Sequence, residues 1–465
     1  MADRAKRRAL APLLLAIFMR ALPLTMFGPL LPGIARSLGA GLAEIGWIVA
    51  TYATGSLVAQ PVMGRLSDLR GRKAMLFACV MLFGAGSAWC ALSTSLWALV
   101  AGRLIQALGA GGIQPVVTAI VADEWTPEER GGVLGAIYGM YGVGTMAGAL
   151  LGGAIVDGAL LLSARASFDA SLSHELASFP WHLVFWLNVA FSLATLAAAA
   201  SLPPDAPHPR GADGFDYLAI LLVACFTTGV MVAATTSGMA TAAGLIGAVL
   251  SVVLLVVWER RASAPLFDPE LFAGRGPTLV YAIAFAFGLP SFTLTIYSAT
   301  YFIAAFGASE AQSGLALFAL AAAYVAGAIV GGAAVRTAGA KTPLVGGLAC
   351  TGVALAMLAV LTPMPAVVAA MVLGGASLGF ASAPPNALLL DYVAPAQAGG
   401  ATGLALMLAT SGSITAPAAV SAFLHFGRGD PPSDFRAAFA AGALLCIACA
   451  ALSAVLPASK RVQLR

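Results

Sequence analysis

Long apolar stretches recur along almost the whole chain, with short polar segments between them. Each stretch holds about twenty residues, which is the length that an α-helix needs to cross the hydrocarbon core of a bilayer. The pattern therefore predicts an all-α, polytopic membrane protein with fourteen transmembrane helices. They lie near residues 10–32, 43–63, 74–93, 97–121, 132–157, 181–201, 217–236, 239–258, 277–303, 312–335, 343–361, 364–389, 401–424 and 436–457.

The composition supports a membrane protein. Hydrophobic residues make up 60% of the chain and charged residues 9%, whereas a soluble domain is roughly a quarter charged. The first apolar stretch follows basic residues, as in a signal peptide. Its length, its prolines and the lack of a convincing small-residue cleavage site favour a mature span instead. The six cysteines lie inside apolar stretches, so we expect no disulfide framework.

The distribution of basic residues predicts the orientation. If both termini are cytosolic, the inner loops and tails hold 18 Lys and Arg residues and the outer loops hold four. The positive-inside rule favours this arrangement. The net charge of +4 then reflects topology and does not indicate nucleic-acid binding. Because lysine is rare and Ala and Gly are abundant, a GC-rich bacterial genome is indicated, and we expect a location in the bacterial inner (cytoplasmic) membrane.

The loop after the second span, GRLSDLRGRK, combines glycines, an aspartate and basic residues. Glycine permits close approach of helices, and Asp68 can hold Arg72 and a neighbouring helix N-terminus, as a charge latch in one conformation. The alternative is an ordinary basic loop that serves topology alone. The loop resembles the signature G-x-L-x-D-R-x-G-R-K of the major facilitator superfamily, with matches at Gly64, Leu66, Asp68, Gly71, Arg72 and Lys73.

The fifth span contains glycines at spacings that allow helix backbones to touch. It resembles the antiporter motif G-x8-G-x3-G-P-x2-G of the same superfamily, although Ala149 replaces the proline. Ordinary close packing is the alternative interpretation. The matching glycines are Gly135, Gly144, Gly148 and Gly152, followed by Gly153.

Further motifs resemble one branch of the superfamily. The fourth span, GRLIQALGAGGIQP, resembles R-x-x-Q-G-x-G, with Ala107 as a departure. The segments WHLVFWLNV, FDYL and WERRASAPLFDPELF resemble the sixth span and the entry and exit of an inserted helix pair. Together they resemble the fourteen-span drug:proton antiporter branch, which exports drugs, dyes, antibiotics or siderophores. This resemblance implies the major facilitator fold, with six-helix halves at 1–202 and 277–465 and an inserted pair with linkers at 203–276.

One departure from that branch concerns proton coupling. The branch carries an aspartate in the first span, in the pattern l-D-x-T-v-v-N-v-A-L-P. Alignment on Pro32 places Pro23 where that aspartate belongs. Since no Asp or Glu lies near the middle of any predicted span, the proton mechanism of the branch cannot be transferred to this chain.

Two arginines lie inside predicted spans at similar depths. At 1.5 Å per residue, Arg20 lies roughly 15 Å from the inner end of its span and Arg103 roughly 10 Å from the outer end. A charge at such depth is costly and usually faces a cavity or a partner. The superfamily's first and fourth spans line the central cavity, so we expect both arginines there. Their helix-face neighbours Gln106 and Gln114 are expected beside them.

Structural roles are the alternatives for these arginines. Arg103 could brace carbonyls of the first span, and Arg20 could brace carbonyls that prolines free. In the second half the cavity would receive Tyr297, Tyr301 and Asn386, although a tyrosine pair at helical spacing also suits packing. The outer loop at 158–180 is expected to be either an amphipathic helix or disordered. The four histidines lie in loops or at span ends, so no metal site or cofactor is expected.

The sequence therefore predicts a monomeric secondary active transporter rather than an enzyme. It would lie in the lipid bilayer and export small amphiphilic, anionic or zwitterionic molecules by alternating access of two halves, driven by protons or by the membrane potential. The alternatives are a proton-coupled multidrug exporter of lipophilic cations and a non-transporting membrane receptor. A membrane-embedded enzyme would need a polar catalytic cluster, which the spans lack.

The topology can be tested by labelling single cysteines with a membrane-impermeant reagent. We expect a cysteine at position 270 to react only from the cytosol and one at position 170 only from outside, because basic residues favour the inner side 18 to four. Reversed accessibility at both positions would contradict the fourteen-span arrangement.

Overall fold

Each of the fourteen predicted apolar stretches overlaps a helix, or a broken pair of helices, in the computed structural model. The structure describes residues 2–457 except for 27–29, 31–33, 35–36, 40–41, 166–180, 203–215, 236–237, 263–264, 268, 273, 309 and 427–430. Within these described residues, nine helical segments are long and apolar enough to cross a membrane, and shorter apolar helices lie at 10–23 and 217–233. Fourteen membrane crossings therefore stay a prediction.

The helices follow one another along the chain with short connections. A π-helical turn at Thr293–Tyr297 joins α9 to α10, and short 3₁₀ turns lie at Pro269–Phe272 and Pro395–Gln397. The α-helices are α1 (Ala2–Met26), α2 (Leu42–Arg70), α3 (Arg72–Ala91), α4 (Leu96–Glu124), α5 (Pro127–Arg165), α6 (His182–Ala199), α7 (Tyr217–Thr235), α8 (Met239–Glu259), α9 (Arg275–Phe292), α10 (Ser298–Phe306), α11 (Glu310–Ala338), α12 (Lys341–Val360), α13 (Met364–Phe380), α14 (Pro384–Tyr392), α15 (Ala398–Phe426) and α16 (Pro431–Ala454).

Two predicted loops differ from the structure. The motif at 64–73 is helical except for Gly71, which separates α2 from α3 with a φ of 101°. Only glycine adopts such a φ without strain, so one residue is enough for the connection. The predicted outer loop begins later than 158, because α5 continues to Arg165 through an uninterrupted apolar stretch. The rest of that loop, residues 166–180, lies outside the described residues.

The helices pack as two groups that meet along two seams. In the first group α1 packs against α5, and α4 packs against α2 and α3. In the second group α11 packs against α13, α12 against α16, and α9 against α15. The seams between the groups are α2 against α15 and α5 against α11. The α7–α8 pair packs on itself, and α7 also contacts α2 and α15.

Glycines determine how closely these helices approach. A Cβ on Gly64 would overlap the carbonyl oxygen of Gly399 at the α2–α15 seam. A Cβ on Gly135 would lie 2.8 Å from the Cα of Gly332 at the α5–α11 seam. Real Cβ atoms do not approach other atoms so closely, so both seams depend on backbone contact.

The other motif glycines of α5 serve a different contact. A Cβ on Gly144 would lie 2.7 Å from the Cβ of Ala21, and one on Gly148 would overlap the carbonyl oxygen of Leu22. Both positions therefore bring α5 against α1, the helix that carries Arg20. Gly152 belongs to the same helix.

The break between α13 and α14 positions Asn386 at the interior. Helix α13 ends at Phe380, and α14 begins at Pro384 with prolines in its first turn. Proline lacks the N–H that would continue the preceding helix, but its fixed φ suits the start of a new one. The hinge therefore follows directly from the local sequence ASAPPN.

The packing role of Gly148 can be tested by comparing two alanine substitutions. Gly148→Ala should lower the free energy of unfolding by about 1–3 kcal/mol, because the added methyl group overlaps the backbone of α1. Gly346→Ala is the matched control, since no atom lies within 4 Å of its added Cβ. Thermal unfolding of the two purified variants in detergent measures the difference, and equal stability would contradict the packing role.

Candidate functional site

A cavity of about 760 Å³ lies between the two helix groups. Side chains from both groups line it, including Arg20, Arg103, Gln114 and Asn386 among the residues that the sequence predicted. Arg20 and Arg103 are the only charged side chains in this lining, as far as the described chain shows, and no carboxylate is among its residues. The cavity therefore combines a concave apolar surface with two permanent cations.

Arg20 lies on α1 and is half-buried. Its Nε donates a hydrogen bond of 2.9 Å to the carbonyl oxygen of Ala110, and its Nη1 lies 3.4 Å from Oε1 of Gln114. Its guanidinium carbon lies 5.5 Å from the ring centroid of Tyr141. Arg20 thus braces α4, rather than carbonyls of its own helix, and it also lines the cavity.

Arg103 is buried more deeply than Arg20. It is 3% exposed, and its guanidinium carbon lies 4.0 Å from the ring centroid of Tyr52. Its Nη1 donates a hydrogen bond of 2.7 Å to Oε1 of Gln106. Stacking on an aromatic face and a hydrogen bond to an amide oxygen both stabilise a cation away from water. Tyr52 lies within the electrostatic influence of both arginines.

The structure does not bring three of the predicted cavity residues to the lining. Gln106 turns toward α3, where its Nε2 donates a hydrogen bond of 2.8 Å to Ser87 Oγ. Tyr301 is fully buried, and its hydroxyl accepts a 3.1 Å hydrogen bond from Arg436 Nε. Tyr297 packs against the rings of Phe292 and Phe435, with centroids 6.4 and 6.1 Å away.

Helix geometry explains the position of the two tyrosines. The cavity face of this segment includes Phe287, Ser291 and Thr295, which follow one another at four-residue intervals. Tyr297 lies two residues beyond Thr295 in the π-helical turn, which is roughly half a turn around the helix axis. It points away from the cavity with Tyr301, into an aromatic cluster between α9, α10 and α16.

The sequence analysis missed several tyrosines that line the cavity. They are Tyr52, Tyr138, Tyr141 and Tyr324. Each places a hydroxyl inside an apolar span, which is the signal that could have identified it. Tyr138 connects the two groups, because its hydroxyl accepts a 2.5 Å hydrogen bond from Nδ2 of Asn386.

Weaker polar contacts also cross between the groups beside the cavity. Gln60 Nε2 lies 3.5 Å from the hydroxyl of Thr410. The hydroxyl of Thr402 lies 3.4 Å from the carbonyl oxygen of Pro115. These distances exceed the usual hydrogen-bond range, so the two walls of the cavity are only loosely tied here.

At one end of the cavity, α2 meets the first turn of α15 through a buried carboxylate. Asp68 accepts hydrogen bonds of 2.9 and 2.7 Å from the backbone N–H groups of Gly399 and Gly400. Asp68 is 7% exposed and also pairs with Arg72. Free N–H groups at a helix N-terminus favour an anion, so the position of Asp68 matches the direction of the helix dipole.

Arg72 extends this contact in three directions. It pairs with Asp68, its Nε donates a 3.0 Å hydrogen bond to Asp123, and its Nη2 donates a 2.8 Å hydrogen bond to the carbonyl oxygen of Pro395. The four predicted latch residues, Gly64, Asp68, Gly71 and Arg72, therefore lie together at the α2–α15 seam. We call this group the latch.

The described ranges contain no candidate metal site. No group of three or more His, Cys, Asp or Glu side chains there could hold a metal ion. The described site chemistry is that of a cavity for a small molecule.

A protein-family model described as Major Facilitator Superfamily matches residues 13–287 and 279–464 of the chain. The chain is 31% identical to an uncharacterised MFS-type transporter of Mycobacterium tuberculosis over 310 residues. This aligned region covers 65% of this chain and 42% of that protein. Multidrug resistance protein 3 of Bacillus subtilis is 25% identical over 66% of this chain and 57% of its own length. The multidrug transporter protein MdtP of the same organism is 26% identical, over 65% and 53% respectively. The chain spans about half the length of these curated relatives.

Two solved structures show the same fold. The human organic anion transporter MFSD10 has a TM-score of 0.69 and 17% identity, over 96% of this chain and 99% of its own. A variant of the E. coli fucose:proton symporter FucP has a TM-score of 0.69 and 13% identity, over 97% and 98% respectively. The superfamily that the motif at 64–73 predicted is confirmed: the chain belongs to the Major Facilitator Superfamily of multi-pass membrane transporters.

Proposed function

We propose that the protein is a secondary active transporter that exports small amphiphilic anions or zwitterions by alternating access. The observation that carries this proposal is the charge of the cavity. Arg20 and Arg103 line it, and its described lining contains no Asp or Glu. A small molecule with a carboxylate, sulfonate or phosphate would neutralise part of this charge on binding.

The electrostatic preference for anions is large enough to determine selectivity. Two unit charges 4 Å apart interact by about 4 kcal/mol at an effective dielectric constant of 20. The sign is favourable for an anion and unfavourable for a cation. Arginine also offers forked hydrogen bonds to a planar or tetrahedral oxyanion, so recognition combines charge with geometry.

The missing coupling carboxylate is compatible with this substrate class. An anion that leaves a cell with a negative interior gains roughly 2.3 kcal/mol per charge for each 100 mV of membrane potential. The potential alone can therefore drive export. The described cavity offers no carboxylate that would bind and release a coupling proton in the manner of the drug:proton antiporter branch.

A proton-coupled exporter of lipophilic cations is the second candidate. The names of the two Bacillus subtilis relatives favour it, since both are described as multidrug proteins. Cation binding would have to overcome repulsion from the two protonated arginines, and the aromatic rings of the four cavity tyrosines would provide the cation contacts.

The latch is proposed to stabilise the conformation that the structure describes. Its hydrogen bonds join α2 to α15, so they must break if the two halves rock about the cavity. Removal of one partner from a buried ion pair leaves an uncompensated charge and is strongly unfavourable. The latch would thus set the energy difference between alternative conformations.

The remaining assignments belong to the same proposal. We infer a monomer in the bacterial inner membrane, with cytosolic termini and fourteen spans. The halves are 1–202 and 277–465, and the segment 203–276 carries the inserted pair. The contact of α7 with both α2 and α15 supports the view that this pair is an addition to a two-half core.

Substitution of Arg20 tests the substrate class. In liposomes under an imposed potential without a pH gradient, the wild type should transport an anionic amphiphile and not a cationic one. Arg20→Gln should lower kcat/KM for the anion by roughly 10- to 100-fold, which corresponds to the loss of a charge-assisted hydrogen bond of about 1.5–3 kcal/mol. Initial rates of uptake of both probes provide the measurement.

Arg275→Gln is the matched control, because Arg275 is exposed at the start of α9 and lies outside the cavity lining. It should retain wild-type rates. If the wild type moves only cations, or only under a pH gradient, the second candidate becomes the better function. If Arg20→Gln has no effect, Arg20 is only a brace between α1 and α4.

Substitution of Asp68 tests the latch. Asp68→Asn removes the charge that accepts hydrogen bonds from two backbone amides and from Arg72. We expect a loss of about 1.5–3 kcal/mol from the described conformation, since hydrogen bonds to charged groups have this strength. The transport rate should fall while the protein stays folded.

The effect of Asp68→Asn on the conformation can be measured separately from transport. A single cysteine in place of Thr402, which is 2% exposed beside the latch, should react faster with an impermeant thiol reagent in the Asp68→Asn background. Wild-type transport and unchanged reactivity together would remove the proposed role of the latch.

A further inference from the structure

The two walls of the central cavity differ in chemical character: the charged side chains lie on one wall and the large apolar side chains on the other, where hydroxyl groups and Asn386 lie among them. All nine large aliphatic and phenylalanine side chains of the lining come from residues after 276, and none comes from residues before 203. They are Val280, Ile283, Phe287, Phe292, Leu344, Leu348, Leu378, Leu406 and Ile414. The two arginines and both glutamines of the lining come from the first wall. The cavity is therefore polarised across the seam between the halves.

The polar wall contains amide groups whose hydrogen-bonding capacity is incompletely used. Gln114 is 3% exposed, and its Nε2 makes no hydrogen bond of good geometry, although the Tyr138 hydroxyl lies near the amide. Gln60 is 2% exposed, and its Oε1 has no donor. A buried polar atom without a partner is unfavourable, so a ligand that supplies the partner recovers part of this free energy.

Arg20 favours one orientation of the Gln114 amide. Arg20 Nη1 points to Oε1 at 3.4 Å, and an exchanged amide would place two N–H donors against each other. Nε2 is therefore the atom that remains available. The nearby Tyr138 hydroxyl is the protein group that competes with a ligand for this amide, but the hydroxyl already accepts a 2.5 Å hydrogen bond from Asn386.

The guanidinium of Arg20 and the side-chain amide of Gln114 thus provide neighbouring N–H donors for an oxyanion. Arg20 is half-buried on the cavity surface, with the Tyr141 ring 5.5 Å from its guanidinium carbon. Arg103 is 3% exposed and hydrogen-bonded to Gln106. Arg103 therefore acts on a ligand through its charge, whereas Arg20 and Gln114 can contact the ligand directly.

We propose that the substrate binds across the seam, with its oxyanion head group between Arg20 and the Gln114 amide and its apolar part against the second wall. This inference rests on the proposed function and specifies the ligand further. The substrate is an amphiphile with one anionic head at the end of an apolar body. Molecules with charge at both ends would place one charge on the apolar wall and bind poorly.

The experiment compares two probes that differ only in the head group. They are 8-anilinonaphthalene-1-sulfonate and its uncharged parent, N-phenyl-1-naphthylamine. Binding is measured by calorimetry with the full-length protein in lipid nanodiscs, after subtraction of binding to empty nanodiscs. The wild type should bind the sulfonate at least tenfold more tightly than the uncharged probe.

Substitutions in the polar wall should affect only the sulfonate. Gln114→Leu and Gln114→Glu should each weaken sulfonate binding at least tenfold and change binding of the uncharged probe less than twofold. Folding of both variants is checked by thermal unfolding. If one of them does not fold, the other still tests the inference. Gln312→Leu, on the exposed start of α11, is the matched control and should leave both affinities within twofold of wild type.

Substitutions in the apolar wall should affect both probes alike. Phe287→Ala and Leu406→Ala, at half-buried positions of the lining, should weaken each probe by about three- to tenfold without a change in their ratio. An equal effect of the Gln114 variants on both probes would overturn the inference alone, as would apolar-wall variants that alter only the sulfonate. Failure of the wild type to bind the sulfonate would overturn the proposed function as well.

Discussion

Two guanidinium groups inside an apolar helix bundle are the constraint on which the rest of this site depends. A permanent cation at membrane depth is costly unless neighbouring groups replace water. Arg20 has the Ala110 carbonyl, the Gln114 amide and the Tyr141 ring, and Arg103 has Gln106 and the Tyr52 ring. These particular contacts come from uncharged groups, so they stabilise the guanidinium groups without cancelling their charge. The cavity consequently keeps a positive potential that a ligand can meet.

Backbone packing between helices determines where the two arginines lie. Motif glycines hold α5 against α1 and place the two seams at van der Waals contact, and the hydrogen bond from Arg20 to the Ala110 carbonyl joins α1 to α4, the helix of Arg103. The polar contacts of Gln60 and Thr402 across the cavity are long, at 3.5 and 3.4 Å. The latch is buried and charged, and its hydrogen bond from Gly400 to Asp68 measures only 2.7 Å. A strong connection at one end and weak connections around the cavity suit two halves that pivot, since few interactions must be exchanged during the motion.

Sequence reasoning could predict features that depend on composition along one helix. Span positions follow from hydropathy, and Arg20, Arg103, Gln114 and Asn386 are conspicuous because polar side chains are rare at membrane depth. The positions of Tyr297, Tyr301 and Gln106 depend on rotation about a helix axis and on the neighbouring helix, which spacing alone does not determine. The segregation of apolar side chains to the second wall depends on the tertiary arrangement of several helices, so no single stretch of sequence contains it.

The central claim is that the positive charge of Arg20 and Arg103 makes the cavity select anions. The most direct measurement is the sign of the transient current when an anionic or a cationic amphiphile is added to proteoliposomes on a solid-supported membrane at equal pH on both sides. An anionic amphiphile should produce a current of negative charge into the liposomes that rises with concentration and saturates, and a cationic amphiphile of the same apolar body should produce none above protein-free liposomes. A saturable current from the cation, with none from the anion, would contradict the account.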